Sequence, residues 1–370
     1  NYGWEHPLWF ADAPGTEDTL GFTRQNWWAP VGEEARALRD RAGIIDISNF
    51  AKYRVAGPEA HAWCDAVFAN RIPVEPGRSC LAPLIGRRGG IAGDFTVTCL
   101  APDEYWIIGS GLAERYHSRF FREVPLPSGT VFESLTDSHC GFNVAGPESR
   151  ALLQRLTDAS LATPDFPFLR SQRIEVAGVE VTALRVSFTG DLGWELHCRE
   201  DDQLRLYEAL LEEGRALGAA PVGSRALMAL RIEKGYGSWG REYSPEYWPQ
   251  EVGLERLVKL DKPFLNRDAA AEAMARPARE RLRLIEIDHA AAEASRADAT
   301  GGEPVFHEGR GAGRVTSGAY GYSVGRSLAL GFLDDVPPGA EVEVMLLGRP
   351  HPGRVLAQPP FDPQGARLRG

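Results

Sequence analysis

The sequence predicts an α+β protein, with two similar α/β subdomains in tandem ahead of a small all-β domain. Three observations lead there. Tyr53-Arg-Val-Ala-Gly57-Pro58-Glu59 recurs as Phe142-Asn-Val-Ala-Gly146-Pro147-Glu148, each a strand running into a helix start. The copies lie too far apart for a solenoid repeat and fit two whole subdomains. Beyond residue 280, Leu282, Leu284, Ile285, Ile287 and Val342–Leu347 alternate or run apolar between glycines and prolines, as short strands do.

Residues 1–30 carry Trp4, Trp9, Phe10, Phe22, Trp27 and Trp28 among prolines without periodicity, which reads as a strap anchored by aromatics. Residues 31–42 form a helix with Glu33 and Glu34 in its first turn, ended by Gly43. A core at 31–275 then holds the two repeats, near 53–136 and 142–240. In the first copy, residues 95–100 alternate with period two, Tyr105–Ile108 is a second strand and 112–121 an amphipathic helix. The second copy has a hairpin over 173–186 and helices near 201–216 and 224–234, the last stopped by Gly235. Each Pro is expected at a first helical position. Residues 266–281, rich in Ala and Arg, are a helical linker to the domain at 280–370.

A net charge of −10 argues against nucleic-acid or anionic-membrane partners, and no apolar run approaches the ~18 residues of a membrane span. No signal-like start is present, and the chain begins with Asn1, which reads as a trimmed or partial polypeptide. Five scattered cysteines without a Cys-x-x-Cys pair fit buried thiols in a reducing, cytoplasmic setting, and the dispersed histidines predict no metal. Gly109-Ser-Gly111 lacks its third glycine and Gly309-Arg-Gly311-Ala-Gly313 precedes no helix, so no flavin or nicotinamide site is expected on this chain. Gly321-Tyr-Ser323-Val-Gly325, with Asp334 and His351 after it, matches a hydrolase elbow only in letters, because β-type sequence continues on both sides.

Three stretches are candidates for chemistry. Asp94 follows Gly89, Gly90 and Gly93 and shares a strand face with Thr96 and Thr98, opposite Phe95, Val97 and Cys99. It is either a turn residue at a strand start or a carboxylate meeting a flat, partly cationic ligand that the glycines let approach. Glu195 follows Thr189-Gly-Asp-Leu-Gly193 and points with His197, away from Trp194, Leu196 and Cys198; it is either a surface acid or a second acid facing the same cleft. Gly235-Tyr-Gly-Ser-Trp239-Gly-Arg241-Glu242-Tyr243 is an aromatic loop that either packs between subdomains or clamps a ring and a carboxylate.

Gly89-Gly90-Ile91-x-x-Asp94, Gly190-Asp-x-Gly193-Trp194-Glu195-Leu196 and Leu230-Arg231-Ile232-Glu233-Lys234-Gly235 occur in that order. With them the sequence resembles the glycine-cleavage T-protein (aminomethyltransferase) family, and within it the folate-binding C-terminal half of dimethylglycine and sarcosine dehydrogenases. Asn1–Phe10, Ser317–Gly331 and Phe361-Asp-Pro-Gln-Gly-Ala-Arg resemble that subgroup. The resemblance implies a cloverleaf of the two subdomains and a C-terminal β-barrel around a central tetrahydrofolate site. It implies that Asp94 is catalytic and that Glu195 accepts from the pterin amino and ring N–H groups. Trp239 and Glu242 match the later folate loop, and Tyr105 joins the cofactor-binding candidates. Phe188 stands where a folate-contacting tyrosine is frequent, Leu81 near another such position, and Arg256 where an aromatic is common.

The expectation is a tetrahydrofolate-dependent one-carbon transferase, acting on an N-methylated amine or its iminium or formaldehyde product. Oxidation would belong to a flavin-containing domain or partner subunit. The alternative is a non-catalytic folate-binding protein of the same fold.

Overall fold

In the computed structural model, residues 5–370 are described; Trp4 of the strap lies outside them. Trp9, Trp27 and Trp28 pack onto the cluster formed by Val31, Leu38, Ala226 and Leu230. Helix α1 (Trp28–Asp40) starts earlier than the sequence predicts, because Pro30 in its first turn needs no N–H partner. It ends at Asp40, and Gly43, expected as its stop, opens strand β1 (Gly43–Asp46).

The first unit then runs β2 (Ala51–Ala56), α2 (Ala60–Val67), β3 (Arg78–Ile85), β4 (Ile91–Ala101), β5 (Glu104–Gly109), α3 (Glu114–Phe121) and β6 (Val131–Ser134). Its five-stranded sheet has the order β3-β4-β5-β2-β6. The second unit runs β7 (His139–Ala145), α4 (Ser149–Gln154), β8 (Ser171–Val176), β9 (Val179–Leu184), β10 (Gly193–Arg199), α5 (Gln203–Arg215) and β11 (Ala220–Pro221). Its six-stranded sheet borrows β1 from before the first copy, giving β11-β1-β7-β10-β9-β8.

The repeated Gly-Pro-Glu does the same thing twice. Gly57 and Gly146 take φ of +136° and +120°, and a Cβ on either would fall 2.3 Å from a backbone oxygen. Neither Pro is the first helical residue. Each sits in a turn closed by Ala60 N to Gly57 O (3.0 Å) or Ser149 N to Gly146 O (3.1 Å), and the helix starts after it.

Each sheet buries one face under its own helices. Phe95, Val97 and Cys99 join Trp63, Phe68 and Phe121; Trp194, Leu196 and Cys198 join Phe142, Leu206 and Leu210. Each large apolar side chain so buried contributes about 1.5–3 kcal/mol. Period-two alternation turns Asp94, Thr96, Glu195 and His197 to the opposite faces of their sheets. Ile108 of one sheet packs against Leu184 and Val186 of the other, and the Trp106 ring meets His139 (5.4 Å) and His197 (6.1 Å) edge-on.

Helices α6 (Ser224–Glu233), α7 (Pro249–Val252) and α8 (Arg267–Met274) lead to a closed six-stranded barrel. Its strands are β12 (Arg281–Ile287), β13 (Pro304–His307), β14 (Arg310–Gly321), β15 (Arg326–Leu333), β16 (Glu341–Leu346) and β17 (Arg349–Leu356), filled by Ile285, Val305, Val315, Ala329, Val344 and Val355. Among the described residues, no helix is long and apolar enough to cross a membrane.

Ser323 lies in the turn joining β14 to β15, with no helix behind it, so the elbow geometry is absent. Its hydroxyl donates to Glu233 Oε2 at 2.5 Å and its amide to Oε1 at 2.9 Å. Ser323→Ala should lower stability by about 1.5–3 kcal/mol, the loss of one hydrogen bond to a buried carboxylate, with no change in any activity. Denaturant midpoints beside a transfer assay check this; lost turnover in a folded variant would revive a nucleophile.

Candidate functional site

The glycines before Asp94 admit the protein's own backbone. A Cβ on Gly89 would lie 2.4 Å from Ala269 O, and one on Gly90 2.1 Å from Pro245 O. The 245 loop and α8 therefore dock directly on the β3–β4 hairpin, and Ile91 N bonds Tyr247 O at 2.9 Å. This seals the hairpin and fixes the start of β4.

Asp94 lies fourth in β4, beside Pro83 of β3, on the face shared with Thr96 and Leu81. Its carboxylate makes no hydrogen bond or ion pair with another described residue. Burial pushes its pKa up to about 6. The buried Tyr243 phenol, held protonated by its own burial first, also feels the Asp94 charge. That places the 235–243 loop at the Asp94 end of β4. In the same loop Trp239 stacks on Tyr116 (5.7 Å) and leans on His117 (4.9 Å), which edges the Phe95 ring at 4.6 Å.

Glu195, on β10, is paired in register with Asn143 of β7 and Leu184 of β9. Its side chain is 12% exposed, and Oε2 lies 3.3 Å from His197 Nε2. Phe188 lies half-buried in the turn between β9 and β10, and Leu81 is exposed on β3 beside Thr96. Thus Asp94 and Glu195 lie on the non-core faces of their two sheets, while the ring contacts of Trp239 are with α3, at Tyr116 and His117.

Three candidates lie elsewhere. Glu242 is fully buried and spent on Arg231 Nη1 (2.9 Å), Ser238 N (2.9 Å), Thr316 Oγ1 (2.7 Å) and the Ser317 hydroxyl. Burial alone would raise its pKa; Arg231 and these donors outweigh that and hold it below the usual carboxylate range. It pins the loop to the barrel. Tyr105 points into the core of the first unit, because β5 alternates, and its hydroxyl donates to Pro73 O at 3.0 Å. Arg256 is an exposed side chain on the single 3₁₀ turn Glu255–Leu257.

Two other groups matter that the sequence reading missed. Arg39, buried in α1, joins two of the quoted motifs: it pairs with Asp191 and with Glu233 (2.8 Å) and donates to Thr189 O (2.8 Å) and Leu230 O (3.0 Å). An arginine among the helix's surface charges gives no signal in one sequence. Lys52, buried on β2, donates to Ser48 O (2.8 Å) and Phe50 O (2.9 Å); burial pushes its pKa down to about 8, with Cys140, Asp46 and Glu195 acting in the opposite sense. The only sign of it is its place one residue before the repeat, where the second copy has Gly141.

The comparisons agree with this architecture. Residues 1–262 match the family model of the GCVT N-terminal domain, and residues 281–362 that of the glycine cleavage T-protein C-terminal barrel domain. The chain is 34% identical to mitochondrial dimethylglycine dehydrogenase of Mus musculus over 377 aligned residues, covering 99% of this chain and 42% of that protein. It therefore spans less than half the length of that relative. It is 30% identical to an aminomethyltransferase of Saccharopolyspora erythraea, with 88% of each covered. The crystal structure of glycine cleavage system aminomethyltransferase T from Bartonella henselae superposes with a TM-score of 0.81 at 22% identity, covering 94% of this chain and 95% of that one, a likeness of fold. With both family models matched in order and the barrel closed as the second requires, the chain belongs to the glycine cleavage T-protein (aminomethyltransferase) family.

Proposed function

We propose that this chain is a tetrahydrofolate-dependent one-carbon transferase, taking its C1 unit from an N-methylated amine or the iminium or formaldehyde derived from it. The observation that carries the reading is the unpartnered Asp94 carboxylate. The buried acids Glu233, Glu242 and Glu251 are each held by an arginine, while among the described residues no other residue supplies Asp94 with a cation or a hydrogen-bond donor. An acid kept in that state suits a cationic ligand group.

The donor set fits a pterin. Glu195 offers acceptor lone pairs that His197 does not fill, matching an amino group and an adjacent ring N–H. Trp239 and Phe188 supply apolar walls. Tetrahydrofolate, when bound, supplies the nitrogens that accept the C1 unit. Glu195 orients the ring, and Asp94 stabilises positive charge at the donor and can hold a proton at its carboxylate oxygen. Without a dinucleotide fingerprint on this chain, amine oxidation is assigned to a flavin-bearing domain or partner. The full-length relative named a dehydrogenase supports that division of labour.

Titration with tetrahydrofolate should quench tryptophan fluorescence saturably, because Trp239 is one of the proposed walls. A saturable heat of binding should accompany it, and formaldehyde, already at the oxidation level of the methylene unit, should then give single-turnover transfer; a methylated amine should do so only with the flavin-bearing oxidant supplied. No binding at millimolar folate would sink the proposal; binding without transfer from any donor would favour the non-catalytic folate binder. The chain alone should also stay colourless after incubation with FAD, and stoichiometric yellow protein would reassign the oxidation to it.

A further inference from the structure

We propose that His197 is the positioning residue of the Glu195 carboxylate: its Nε2–H, 3.3 Å from Oε2, fixes the rotation in which Glu195 receives its ligand. The inference deepens the folate reading and rests on it.

Glu195 is a flexible side chain, and ordering one costs up to about 2 kcal/mol of rotamer entropy. Its strand neighbours do not order it. Leu184 has no polar side chain, and the Asn143 amide donates to Trp194 O at 3.3 Å and makes no hydrogen bond to Glu195. Among the described residues, His197 is the one hydrogen-bond partner of this carboxylate.

The imidazole is itself fixed. It is 1% exposed and lies across Gly141 of β7, its register partner, where a Cβ would come 2.8 Å from Nδ1. The Trp106 ring of the facing sheet meets it at 73°. A carboxylate can only accept, so the proton on the bonded side belongs to Nε2. Nδ1 is buried without a partner, so an imidazolium would strand an N–H there. Burial accordingly favours the neutral ring. The result is one donor with one orientation, preset before ligand arrives, which lowers the ordering cost of binding.

The test has two arms. Without any ligand, long-range ¹H–¹⁵N NMR at pH 7, with the His197 signals identified by their loss in His197→Gln, should show the neutral Nε2–H tautomer; an Nδ1–H tautomer or an imidazolium would overturn the proposal. With tetrahydrofolate, His197→Leu should bind about tenfold more weakly with turnover at saturating folate within about twofold of wild type, while His197→Gln, whose amide can donate, stays within about threefold of wild-type affinity. Gly141→Ala, which displaces the ring, should follow His197→Leu. Wild-type affinity in His197→Leu, or equal losses in the Leu and Gln variants, would overturn the positioning role. Failure of wild type to bind folate would remove the functional reading, and the NMR arm would still judge the hydrogen bond.

Discussion

Asp94→Asn is expected to bind tetrahydrofolate within a few-fold of wild type and to lose transfer activity by ~10² or more, the scale of removing one electrostatic stabiliser. The amide matches the carboxylate in size and keeps an acceptor at the same place on β4. What it lacks is negative charge, and no other acid replaces it, since Glu242 is locked to Arg231. Calorimetric folate affinity beside single-turnover transfer separates the two quantities. Near-normal turnover in the variant would remove the catalytic role.

The same residue sets a pH dependence. An unfolded aspartate titrates near 3.9, as a model-peptide value, while folded Asp94 is pushed up to about 6 by burial. The folded state therefore holds its proton more tightly. The stability this confers is complete below about pH 4 and is lost as pH rises through about 6. Transfer, which needs the charged form, should rise over that upper range in wild type and lack the limb in Asp94→Asn. Wild type and variant should unfold together at pH 4. At pH 8 the variant should be more stable, on the order of 2 kcal/mol, because it no longer carries an unpaired charge in a partly buried site. A variant less stable than wild type at pH 8 would mean that Asp94 has a partner in the folded protein. Lost activity with gained stability is the pattern of a residue kept for chemistry at a cost to the fold.

The alternation around Asp94 and Glu195 was legible because period-two patterning states which side chains share a face, and both acids do leave the core faces. The repeat was legible because positive-φ glycine followed by Pro is punctuation that few other sequences satisfy. The strand β1 pairing across copies was not, since a four-residue apolar strand carries no mark of its partner. Tyr105 shows the limit of resemblance: its position along β5 decides which face it takes, and that face is the core. Glu242 shows another. A loop Arg–Glu pair suggested a ligand clamp, but the Glu242 partner is Arg231, eleven residues back on α6, while Arg241 reaches the carbonyl of Thr300 at 3.5 Å. Charges that close a buried junction and charges that await a ligand look alike in sequence; only the list of their partners separates them.

Glu195→Ala tests the binding half of the site and should weaken tetrahydrofolate affinity by about 10²-fold. Two charge-assisted hydrogen bonds to the pterin, each worth about 1.5–3 kcal/mol, are removed together, and ~1.4 kcal/mol is a factor of ten. The truncation removes both carboxylate acceptors; Leu184 has no polar side chain to replace them, and Asn143, whose Nδ2 donates to Trp194 O at 3.3 Å, offers at most one neutral amide oxygen. Folding should change little, because Glu195 lies on the face away from the Trp194–Leu196–Cys198 core and its one bond is to His197. Glu195→Gln should fall between the two, since its amide offers one acceptor and turns a donor toward a ligand donor. The loss should appear in affinity, with turnover restored toward wild type at saturating folate, the opposite signature to Asp94→Asn. Calorimetry on both variants, with thermal unfolding as the control for folding, decides it. Wild-type affinity in a folded Glu195→Ala protein would place the pterin elsewhere and take the positioning role of His197 with it.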